Sequence, residues 1–154
     1  MGRYEDVGND VYKMLEEVIA TEQSHVDGAN FCIMFDTKKK KSGDNYILGR
    51  IKATSEELKA FAIDDNGVVY DYIIYLDKEV WLRIDEEDQK RLLYHELCHC
   101  KVAEDTENQY KTKPHEIETF YSEIERNASN PRWAERLAAI AAAVYDSENN
   151  QMPE

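Results

Sequence analysis

Two histidines four residues apart, His95 and His99, enclose a glutamate in the segment His95-Glu96-Leu97-Cys98-His99. Residues at this spacing lie about 40° apart around an α-helix, so both imidazoles can face one cation from consecutive turns. Glu96 falls on the same stripe, where a carboxylate can act as a general base. A chain with 4 histidines contains such a pattern by chance about once in a hundred cases. The segment therefore predicts a zinc site.

A catalytic zinc has three protein ligands and one open position, so a third ligand must come from elsewhere in the chain. His115 is the first candidate, because it is the next histidine and stands between a polar loop and a predicted helix. Four acidic residues could take its place: Glu104, Asp105, Glu116 and Glu118. His25 lies in a polar stretch and is interpreted as a solvated residue.

A closed structural zinc that uses Cys98 or Cys100 is the alternative reading of this segment. The two cysteines are two residues apart and hence on different faces of a helix, so neither can easily join both histidines at one ion. The three cysteines in total are an odd set, which favours reduced thiols over a disulfide framework.

The site helix is predicted to begin at the cap Asp85 and to run to about Ala103. The other predicted elements follow from apolar spacing and turn residues. They are a helix over 11–19 capped by Asn9 or Asp10, a hairpin of 31–35 with 46–48, a short helix from Thr54, a buried strand over 68–76, a loop over 104–114, a helix over 117–124, and a last helix capped at Asn130 that runs through Val144.

Length and charge limit the organisation and the partners. A chain of 154 residues fits one domain over 1–146, followed by a disordered tail over 147–154. The net charge of −13 makes direct nucleic-acid binding unfavourable, and the lysine run at 38–41 is interpreted as a solvated turn. No apolar run approaches the length of a membrane span, and the polar first residues lack the pattern of a signal peptide, so a cytoplasmic protein is expected.

The chain resembles the putative phage metallopeptidase family, a relative of the SprT-like zinc metallopeptidases. The similarity covers about residues 31–133 and rests on three blocks. They are the strand over 72–76 followed by Trp81, the segment from Gln89 to Cys100, and the segment from His115 to Phe120. The chain departs from the family at Ser129-Asn130-Pro131-Arg132-Trp133, where a glycine usually precedes the tryptophan.

The resemblance implies a zincin-like α+β fold, in which a small mixed or antiparallel sheet packs against the H-E-x-x-H helix and further helices follow. It implies Zn²⁺ held by His95, His99 and His115, Glu96 as the catalytic acid and base, and a protein or peptide substrate in the cytoplasm of a bacterium or a phage-infected host. The charge of −13 supports an alternative, a non-catalytic acidic protein that mimics nucleic acid or inhibits a host factor.

Overall fold

The chain forms a four-stranded mixed sheet with helices, an α+β architecture, as seen in a computed structural model that describes residues 2–42, 45–55, 57, 59, 67, 69–102, 110–113, 126–127, 130 and 132–151. In chain order the helices and strands are β1 (Tyr4–Asp6), α1 (Asn9–Glu22), β2 (Phe31–Asp36), β3 (Lys41–Ser42), β4 (Asn45–Tyr46), β5 (Gly49–Ala53), β6 (Tyr72–Asp77), α2 (Lys78–Trp81), α3 (Glu86–Cys98), β7 (Cys100–Val102), β8 (Tyr110–Thr112) and α4 (Trp133–Gln151). A 3₁₀ turn at Ser24–Val26 follows α1. No helix in these ranges is long and apolar enough to cross a bilayer.

The main sheet has the strand order β1-β2-β6-β5. Its two central strands, β2 and β6, run parallel, and each outer strand pairs antiparallel with its neighbour. Alternate residues of the central strands are fully buried, as at Ile33, Ile74 and Leu76. This alternation gives the sheet an inner face that belongs to the core and an outer face whose side chains are partly exposed.

Helices α1 and α3 contact one another, and α3 also contacts β5. Each contributes an apolar stripe to the core, with Val11, Leu15 and Val18 on α1 and Leu93 and Leu97 on α3. The predicted cap of α3 is confirmed, because Oδ1 of Asp85 accepts a hydrogen bond of 2.8 Å from the backbone N–H of Asp88.

The predicted end of the site helix was wrong. Helix α3 ends at Cys98, and the next residues form β7, which pairs antiparallel with β8. The hydroxyl of Tyr72 donates to the carbonyl oxygen of Lys111 at 2.9 Å and lies 3.4 Å from that of Lys101. These contacts of the Tyr72 hydroxyl hold the β7–β8 ribbon at a point where local propensity favours a longer helix. Residues 110–112, which were predicted to be loop, are therefore a strand.

Three further differences concern pairing and caps. Residues 31–35 pair with β1 and β6, so the predicted hairpin with 46–48 was wrong. Strands β3 and β4 form a separate two-stranded ribbon. Gly8, with no side-chain hydrogen bond, is the cap of α1 in place of Asn9 or Asp10. The last helix begins at Trp133 and continues to Gln151, into the stretch that was expected to be disordered.

Some predicted elements lie outside the described residues. The helix over 117–124 is one of them, and of the helix expected after Thr54 only Glu57 and Lys59 are described, both helical. The strand predicted over 68–76 is confirmed in its second half as β6, which extends one residue further to Asp77.

An ionic contact joins α3 to α4 and supports the first prediction. The buried carboxylate of Asp88 binds Arg91 at 2.7 Å and the guanidinium of Arg136 at 2.5 and 2.9 Å. Burial raises the pKa of Asp88, but the hydrogen bonds and charges of Arg136 and Arg91 outweigh burial and lower it. The pair therefore stabilises the fold above the pKa of an unfolded aspartate, and that stability is lost as the pH falls through the lowered folded pKa.

Asp88→Asn should lower the free energy of unfolding by about 2 kcal/mol at pH 7, a value reduced from that of a fully buried pair because Arg136 is half-exposed. Urea unfolding at pH 7 and at about pH 3 measures this. The difference from wild type should shrink at the lower pH. Glu87→Gln, an exposed change on the same helix, is the control; an equal effect of both substitutions would contradict the assignment.

Candidate metal centre

Three side chains converge at the end of α3. Candidate ligand atoms of His95, Glu96 and His99 all lie within 4.8 Å of one another. The two imidazole centroids are 5.3 Å apart, with ring planes at 80°. His99 is the C-cap residue of α3 and keeps right-handed helical angles (φ −74°, ψ −15°), so the four-residue spacing still brings both rings to one side.

Backbone contacts hold the ring of His99. Its Nδ1 lies 2.7 Å from the carbonyl oxygen of Lys113, and the N–H of Lys113 donates to the carbonyl oxygen of His99 at 2.6 Å. Because a carbonyl oxygen only accepts, Nδ1 is the donor, and Nε2 is the nitrogen whose lone pair can bind a metal ion in the neutral imidazole. Such a contact is typical of histidines that bind metal ions, since it fixes the tautomer and the ring orientation.

Glu96 is buried, with 2% of its surface exposed, although it lies between two half-exposed histidines. The backbone of β5 passes directly beside it. A Cβ atom built on Gly49 would lie 3.2 Å from Oε2 of Glu96 and 3.5 Å from Cγ and Cδ. A glycine is therefore what allows the edge strand and this carboxylate to approach so closely.

Gly49→Ala should displace the Glu96 carboxylate by a few tenths of an ångström without unfolding the sheet. In the peptide hydrolysis proposed below, the rate should then fall about tenfold, because small misplacements of a reacting group are costly. The content of bound metal should be unchanged. Gly2→Ala, whose added Cβ would meet nothing closer than 3.8 Å, is the control, and wild-type activity in Gly49→Ala would show that the close approach does not matter.

The cysteines of the segment point elsewhere. The Sγ atom of Cys98 accepts a hydrogen bond from Nε2 of Gln23 at 3.3 Å. Cys100 is buried, and burial raises the pKa of its thiol to about 12. Within the described part of the chain, the cluster that could hold an ion contains neither sulfur. His25 is exposed, with Nε2 3.3 Å from the carbonyl oxygen of Cys100, and it does not belong to the cluster either.

The third ligand was predicted at His115. That residue and the competing acids all lie outside the described residues: Glu104, Asp105, Glu116 and Glu118. Two contributors to the site were missed from the sequence. Lys113 contacts His99 through its backbone carbonyl, which every residue type has, so the sequence gives no signal for it. The only sequence signal for Gly49 is that a glycine stands at the start of a strand.

The donor set fits a divalent transition metal such as zinc, because imidazole nitrogens and a carboxylate are its usual partners. The family described as putative phage metallopeptidase matches residues 3–145. No curated protein and no solved structure matches the chain. With a match over nearly its full length, the chain belongs to the putative phage metallopeptidase family.

Proposed function

We propose that the protein is a zinc-dependent peptidase of zincin-like fold with α3 as its active-site helix. The observation that carries the proposal is the convergence of His95, Glu96 and His99 within 4.8 Å. Two imidazoles and a carboxylate whose ligand atoms lie this close together form a set of donors that suits a zinc ion. Membership of a metallopeptidase family supports the same chemistry.

The proposed ligands are His95, His99 and His115. The support for His115 is its place in the chain, two residues after Lys113, whose carbonyl oxygen contacts the His99 ring. Two residues span at most about 7 Å, so the chain connection permits this histidine to approach the same ion. The fourth position is left open for water or substrate.

Zinc bound at these histidines would acidify the attacking water and polarise the scissile carbonyl. The protein's own contribution is then a base and a proton carrier. Glu96 accepts the proton of the attacking water and returns it to the leaving amine, so one carboxylate serves both steps. Its burial next to the Gly49 backbone restricts the carboxylate to few orientations, which favours proton transfer along a fixed path.

The proposed substrates are proteins or peptides in the cytoplasm. To test the activity, the zinc-loaded full chain is incubated with a peptide library from a bacterial proteome, and new termini are identified by mass spectrometry. We expect cleavage that disappears when a chelator removes the metal and returns when zinc is restored. Absence of any zinc-dependent cleavage, together with a salt-sensitive complex with a basic protein, would favour the acidic binding protein instead.

A further inference from the structure

The outer face of the sheet carries side chains that the metal centre does not use. Two rows of aligned residues from β2, β6 and β5 cross this face, Met34-Tyr75-Arg50 and Cys32-Ile73-Lys52. All six side chains are partly or fully exposed. An exposed carboxylate, Asp6 of β1, pairs with Met34 at the opposite edge of the face from Arg50. Since residues alternate between the two faces, Arg50 lies on the opposite side of β5 from Gly49 and Glu96.

Cations are concentrated along the β5 side of this face. The guanidinium of Arg50 lies 3.8 Å from the centroid of Tyr75, and Nζ of Lys52 lies 5.7 Å from the same centroid. Arg50 also donates to the hydroxyl of Tyr4 at 3.1 Å. Lys38 and Lys40 of the lysine run line one small cleft together with Arg50, and the buried carboxyls of Asp36 and Asp77 lie at the same cleft.

The chain has 32 acidic and 19 basic residues. Several basic side chains bind carboxylates, as in Arg83 with Glu79, Arg126 with Glu22 and Arg136 with Asp88. Within the described ranges, no ion pair joins Arg50 or Lys52 to a carboxylate, although Asp36 lines the same small cleft as Arg50. The positive charge of Lys52, and part of that of Arg50, therefore remains available to a partner.

The chemistry of the face selects the kind of partner. Arg50 and Lys52 suit carboxylates, while Met34 and Ile73 offer apolar surface one to two strands away, a distance of about 5–10 Å. A nucleic acid suits the face less well, because Arg50 already covers one face of the Tyr75 ring on which a base would stack. The net charge of −13 also repels a phosphate backbone.

We propose that the outer face binds an acidic, amphipathic segment of a partner protein, in which carboxylates alternate with apolar side chains. The carboxylates pair with Arg50 and Lys52, and the apolar side chains cover Met34 and Ile73. Binding on this face uses neither the metal nor Glu96. The interaction is thus independent of the proposed peptidase activity, and the two ideas can fail separately.

The test measures binding of a short fluorescent peptide with the repeat Glu-Leu-Glu-Ala by fluorescence anisotropy. The full chain carries Glu96→Gln, so that the peptide stays intact whether or not the protein is a peptidase. Adding Arg50→Gln and Lys52→Gln should weaken binding about tenfold. Adding Lys13→Gln and Arg132→Gln, which removes the same charge from exposed positions outside this face, should change it less than about twofold.

The single substitution Lys52→Glu, at an exposed position, should also weaken peptide binding. It replaces the Arg50→Gln and Lys52→Gln double variant in the test if that variant folds poorly. Equal losses in both double variants would overturn the proposal, since they would indicate only a general charge effect. Undiminished binding in Lys52→Glu would overturn it as well. A third result would also overturn the proposal: oligothymidylate binds more tightly than the peptide, and its binding depends on Arg50 and Lys52 in the same way. The face would then be a nucleic-acid site.

Discussion

Glu96→Gln is expected to slow peptide hydrolysis by about 1000-fold and to leave the bound zinc in place. The substitution keeps the size of the side chain but removes the carboxylate that accepts the proton of the attacking water. Because Glu96 is a base and not a ligand in the proposed site, its loss leaves both imidazoles free to hold the ion. Rates with a fluorogenic peptide and zinc content by elemental analysis are measured on the same preparation.

Glu87→Gln is the matched control for this change, being the same substitution at an exposed position of the same helix. It should retain the wild-type rate. A Glu96→Gln protein that cleaves as fast as wild type would exclude Glu96 as the base. If Glu96→Gln lost zinc together with activity, the carboxylate would be a metal ligand instead. The geometry permits this, because the carboxylate lies within 4.8 Å of the imidazole nitrogens.

His99→Ala is expected to weaken zinc binding by more than about 100-fold, because loss of an outer-shell partner of a ligand alone costs 10- to 100-fold. The ring of His99 is anchored by the contact of its Nδ1 with the carbonyl oxygen of Lys113 at 2.7 Å. The substitution therefore removes a metal-binding nitrogen whose orientation is already fixed. Competition with a chromogenic chelator measures the zinc affinity directly.

His25→Ala removes an exposed histidine outside the cluster and serves as the control. Its affinity for zinc should equal that of wild type. If His99→Ala bound zinc as tightly as wild type, the ion would have to be held elsewhere in the chain, and the cluster at the end of α3 would not be the metal site.

The sequence predicted those parts of the fold that depend on local patterns. Asp85 caps α3 as expected, and the apolar runs at 31–35 and 72–76 are the two central strands. The edge strands β1 and β5 are short and polar, so they lack the apolar signal that predicts a strand. They form because β2 and β6 offer them backbone partners, and that information lies far away in the sequence.

The same distinction applies to the site. The spacing of His95, Glu96 and His99 made their convergence predictable, because helix geometry alone brings them together. The tautomer of His99 depends on a carbonyl 14 residues away, and the setting of Glu96 depends on a glycine of an edge strand. The turn from α3 into β7 depends on the Tyr72 hydroxyl, a contact between distant segments that periodicity cannot indicate.

X-ray absorption at the zinc K edge of the purified full chain examines the proposed centre most directly, because it reports which atoms surround the ion. We expect imidazole nitrogens at about 2.0–2.1 Å, three in number, one further oxygen, and no sulfur. The nitrogen count should fall by one in His115→Ala. A sulfur shell at about 2.3 Å would mean a closed structural site that uses a cysteine, and a protein that binds no zinc even when zinc is added would contradict the metallopeptidase proposal altogether.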